Sequence, residues 1–79
     1  MPQKAYLVNI HRYGFHCGEP AEILGVVFFT PPGIYELRLC YRVKFKNGDE
    51  DYVALSDSNN FEIICEQDVL AGKIPEITR

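Results

Sequence analysis

Ten residues constrain this chain more than any others. Between positions 37 and 46, Leu37, Leu39, Tyr41, Val43 and Phe45 alternate strictly with Arg38, Cys40, Arg42, Lys44 and Lys46. A period of two puts the first set on one face of a strand and the second on the other. The pattern predicts a half-buried antiparallel strand. Asn47-Gly48 follows at once. That dipeptide favours a type I′ hairpin turn, because both central residues there need positive φ. Residues 51–55 are then predicted to pair back on the first strand.

The rest of the chain is cut into short runs by Gly14, Gly18, Gly25, Pro31-Pro32-Gly33 and Gly72. Such punctuation between apolar, β-branched and aromatic stretches marks a small all-β domain. Residues 5–10 predict a first strand and 12–20 a loop. Residues 21–29 are apolar on both parities and predict a central strand, bent at Gly25. Pro-Pro-Gly enforces a turn over 30–34. A polar turn at 57–60 leads to a fifth strand at 61–65. Residues 66–72 predict a short helix that Gly72 ends, and 74–79 an extended tail.

Five short strands with a tight third-to-fourth hairpin predict an all-β, small five-stranded SH3-like barrel with a short C-terminal helical turn. It forms a single domain over 1–79, with the barrel core at about 18–65. An OB-fold is the main competitor. It usually places a helix between the third and fourth strands, where this chain has only residues 47–50.

Size bounds what such a domain does. The chain has 79 residues and is 47% hydrophobic, which excludes a disordered chain. A domain this short buries only about 60% of its unfolded surface, so it needs very good packing or a partner. Five Phe and five Tyr are the main source of core energy. Cys17, Cys40 and Cys65 are odd in number and widely spaced, so no disulfide framework is expected. No apolar run reaches the roughly 18 residues of a membrane span, and no signal-peptide pattern is present. The expectation is a cytoplasmic protein without membrane contact.

Charge is uneven. Residues 1–46 hold six bases against three acids, and residues 47–79 two bases against eight acids. The net charge of −3 is thus the difference between a basic and an acidic part. Arg38, Arg42, Lys44 and Lys46 form a basic row of about 25 Å, at about 3.3 Å per strand residue. The row fits phosphates, an acidic protein surface, or a solvated face paired with the acids at 49–51.

Sites for chemistry are scarce. His11, His16 and Cys17 are metal-ligand types, but a zinc site needs four ligands in close pairs. No metal ion or cofactor is expected. Cys17 beside His16 suggests a nucleophile and base, yet no third group orients the base. The chain is read as not an enzyme. Cys40 shares its parity with Arg38, Arg42 and Lys44, whose charges favour a thiolate, unless a second layer such as the C-terminal tail covers that face. The run Val26-Val27-Phe28-Phe29 is apolar on both faces, so one face must be covered or exposed. An exposed one marks an interface.

The stretch from Gly18 to Val27, with Ala21 and Ile23, resembles a known pattern. So do Tyr41, Val43, Phe45 and Gly48, followed by Val53, Leu55 and Asp57. They are similar to the Tudor and KOW group of SH3-like small β-barrels over residues 18–65. The resemblance implies an aromatic cage for methylated Lys or Arg, held by cation–π contact. The matching positions are Phe28 or Phe29, Tyr52, and Asp57 as polar partner. Ala21-Glu22-Ile23-Leu24 stands where that group has an early aromatic pair, so no complete cage is assigned.

The function expected is therefore a non-enzymatic interaction module that binds a protein partner or self-associates as a homo-oligomer. The alternative is nucleic-acid binding through Arg38, Arg42, Lys44 and Lys46, with Tyr13 or Phe15 stacking on bases. The negative net charge ranks it second.

Overall fold

The computed structural model describes residues 4–14 and 16–77. Among these, five strands form: β1 (Ala5–Asn9), β2 (Ala21–Phe29), β3 (Arg38–Lys44), β4 (Glu50–Ala54) and β5 (Phe61–Cys65). A 3-10 segment (Leu55–Asn60) joins β4 to β5, and a short helix, α1 (Glu66–Leu70), follows. The fold is all-β, with one antiparallel sheet in the order β4-β3-β2-β1-β5.

β4 and β5 are the two edges and share no ladder. The sheet is therefore not a hydrogen-bonded closed barrel. It is nevertheless curled. In a flat sheet the outer strands would lie about 19 Å apart, at about 4.8 Å per strand. The six residues of the 3-10 segment rise only about 12 Å, at about 2.0 Å each. The edges must therefore bend toward each other. The core lies inside the bend and draws on every strand: Leu7, Ala21, Val43, Phe45 and Phe61, with Ile23, Tyr41 and Val53 packed against them. Tyr41 meets Phe61 edge-on, ring centroids 6.0 Å apart, a favoured aromatic geometry.

The turn after β3 forms where expected but by a different geometry. Gly48 has φ +96°, and Asn47 is not among the positive-φ residues. Gly48 N–H donates to the Phe45 carbonyl (3.0 Å), and Phe45 N–H to the Asp49 carbonyl (2.8 Å). This is a three-residue loop, a tight turn closed by a left-handed glycine, rather than a type I′ pair. The Asn47 side chain holds it by accepting the Asp49 N–H at 2.9 Å.

β2 and β5 match the expected spans. The 57–60 turn begins earlier, at Leu55, and is helical. α1 stops at Leu70, with Gly72 (φ +74°) just beyond. Lys73 N–H reaches back to the Asp68 carbonyl and Gly72 N–H to the Val69 carbonyl, the paired bonds that close a helix on a left-handed glycine. Residues 74–77 carry no regular structure. α1 packs against β1 and β5, and Val69 and Ile74 share a groove with Tyr6 and Glu22.

Candidate interaction surface

β2 has nine residues and β1 five. β1 pairs with β2 only at Ala21 and Glu22. At Ile23 and Gly25 the β2–β3 register shifts, leaving Leu24 as a bulge. Beyond it, β2 and β3 run on together: Val26 faces Tyr41, Val27 faces Cys40, Phe28 faces Leu39 and Phe29 faces Arg38. The outer part of this hairpin overhangs the core, and the chain measures 40 × 33 × 21 Å.

Directly opposed residues share a face. Val26, Phe28, Leu39 and Tyr41 therefore line one side of the overhang, and Leu37 continues it by alternation. Val26 is 51% exposed, Phe28 69%, Leu37 62% and Leu39 40%. The described C-terminal residues do not cover this side. Tyr35, fully exposed, lies beside it in the loop.

The opposite side carries Val27, Phe29, Arg38, Cys40 and Arg42, with Ala54 and Tyr52 across β4. Phe29 and Tyr52 stack with centroids 4.1 Å apart and planes 8° from parallel. In the register these two flank Cys40 diagonally, one from β2 and one from β4, so their rings meet over it. Cys40 is 1% exposed, and its Sγ lies 3.6 Å from the Arg38 carbonyl. Cys40 is thus buried on the face that the alternation had placed with the cations, the face that also carries the Phe29–Tyr52 stack.

The resemblance had put Phe29, Tyr52 and Asp57 around a methylated cation. Two of these meet, but ring against ring, which leaves no room for an ammonium between them. Phe28 points to the other side of β2. Asp57 and Tyr52 line a separate cleft of about 170 Å³ at the seam between β4 and β5. There Asp57 accepts a hydrogen bond from Asn60 Nδ2 at 2.6 Å. His16 also lines this cleft. It adopts a left-handed backbone (φ 53°), uncommon for a residue with a side chain. Its ring stacks on Phe45 (3.9 Å), and Nδ1 lies 2.7 Å from Glu19 Oε2. Sequence reasoning missed this His16–Phe45 contact. Tyr13 is exposed beside His11, and Phe15 lies outside the described residues.

The basic row meets acids on both sides. Arg42 Nε donates to Glu50 Oε1 at 2.8 Å, and Nη2 lies 2.6 Å from the same oxygen. Lys44 sits in register between Glu22 and Glu50. Glu22 also bonds Lys4 (3.2 Å), and this hydrogen bond and charge hold the Lys4 ammonium above its usual range. The described residues hold no group of three or more His, Cys, Asp or Glu placed for a metal ion. None of their helices is long and apolar enough to cross a membrane.

The class these features define is an all-β protein built on one curled, five-stranded antiparallel sheet, with an apolar hairpin overhang. Comparison with protein-family models, curated proteins and solved structures finds no match.

Proposed function

We propose that the protein is a non-enzymatic interaction module of SH3-like architecture whose contact surface is the apolar side of the β2–β3 overhang. The carrying observation is that Val26, Phe28, Leu37 and Leu39 share one side and are all at least 40% exposed. Scattered exposed apolar residues are ordinary, but a contiguous group of them marks a contact. The curled sheet and tight β3–β4 hairpin support the SH3-like reading. The nucleic-acid reading through Arg38, Arg42, Lys44 and Lys46 has weaker support, because Glu22 and Glu50 offset the middle of that row.

Radical footprinting tests the proposal whatever the partner is. Phe28 and Leu39 are expected to oxidise readily in dilute purified protein and to be protected inside cells. Equal oxidation in both settings would overturn the reading. Binding of DNA or RNA at low salt, lost in Arg42→Glu, would favour the alternative instead.

A further inference from the structure

The overhang has a second property, and it belongs to the backbone. β1 leaves β2 after Glu22, whereas β2 continues to Phe29. Along residues 24–29 the side of β2 away from β3 has no strand beside it among the described residues. There, no backbone hydrogen bond outside the β2–β3 ladder involves 24–29. Alternate N–H and C=O groups point outward, unpaired by the described protein. Such an edge is a template for another strand.

The open edges of β4, β5 and β2 differ in chemistry. β4 carries Glu50 and Asp51, and β5 carries Glu62. A second copy of either would bring like charges together. The β2 edge reads Leu24-Gly25-Val26-Val27-Phe28-Phe29, with no charge and no proline. Charges and proline are the usual guards of an edge, and this edge has neither.

We propose that residues 24–29 of β2 pair antiparallel with the same edge of a second copy, joining two sheets across a two-fold axis. This rests on reading the overhang as a contact surface and names its partner. Three observations select a copy of the chain rather than a foreign segment. Antiparallel pairing of an edge with itself is self-complementary about a two-fold. An uncharged edge opposes itself without penalty and presents nothing to attract a charged peptide. Two-fold pairing also sets Val26 and Phe28 of both copies on one side, forming a continuous apolar strip.

Sedimentation velocity of the full purified chain, from micromolar to millimolar, tests the proposal alongside amide exchange. The expected result is a dimer in which outward amides between 24 and 29 exchange about tenfold or more slowly than in the monomer. Val26→Lys and Val26→Glu, at an exposed side chain, are each expected to stay monomeric alone and to pair when mixed. Circular dichroism checks that both remain folded. A strict monomer at millimolar concentration overturns the inference. In-cell protection of Phe28 would then still support contact with a different protein. A dimer whose 24–29 amides are unprotected also overturns it, since the copies would then meet face to face. In that case the exchange data on the unmodified chain decide, whatever the variants do.

Discussion

The two ends of β3 have the same kind of sequence and opposite fates. At Tyr41, Val43 and Phe45 the odd-numbered side chains enter the core; at Leu37 and Leu39 they lie in solvent. Hydrophobicity does not separate them, because both ends alternate equally well. Strand length does. β1 and β5 stand across the core end, whereas β4 leaves β3 after Cys40 and only β2 accompanies Leu39 and Arg38. An apolar face is buried when the topology brings a second layer to it. Where no layer arrives, the same face is left for a partner. A two-stranded ribbon is marginal alone in water, which makes the overhang the part that gains most from one.

The sharpest way to break this comparison is to cut at each end. Phe61→Ala, inside the curl, is expected to cost about 3–5 kcal/mol. That is a large share of the roughly 4–12 kcal/mol expected for a chain this size. Urea unfolding measures it, and a loss below about 1 kcal/mol would erase the distinction. Tyr52→Ala tests whether the Phe29–Tyr52 stack shields Cys40. Cys40 is expected to resist iodoacetamide in the folded wild type and to react at least about tenfold faster once the stack is removed. Equal rates would mean that something else covers the thiol. Gly48→Ala probes the turn between β3 and β4; its left-handed backbone is expected to make the change cost about 1–2 kcal/mol by thermal unfolding. Smallest in stability is Phe28→Thr, expected within about 0.5 kcal/mol of wild type in dilute solution. Its effect belongs to association. A large stability loss here would move Phe28 from the contact surface into the core.

Much of the fold was legible where local rules govern. Residues 21–29 and 61–65 form strands over those spans because apolar and β-branched runs bounded by turn residues behave that way. Gly72 ends the helix for a local reason too. The turn at Asn47-Gly48 was placed correctly but built differently, since one left-handed glycine suffices when the loop takes a third residue. Cys40 was not legible. Its parity sets it with Arg38 and Arg42, yet it is buried, on a face where Phe29 and Tyr52 stack from two other strands. That stack joins residues from two strands that flank a third, an arrangement no local pattern encodes. The exposed side of Val26 and Phe28 was half-legible. An apolar run on both parities required one face to be covered or bare, and only β1's early departure decides which.

The sheet's connectivity bears on how it assembles in time. Neighbours along the chain form the β2–β3 and β3–β4 ladders, while β1 and β5 join Ala5 to Cys65 and Asn9 to Phe61. Closing the long loop between the first and last strands costs more chain entropy than forming the hairpins. The meander is therefore expected to be structured early and the β1–β5 ladder last. In that interval the bare hairpin and the unjoined β1 and β5 are exposed together, so the synthesis rate and concentration of nascent chains would govern whether copies meet before or after each has finished folding.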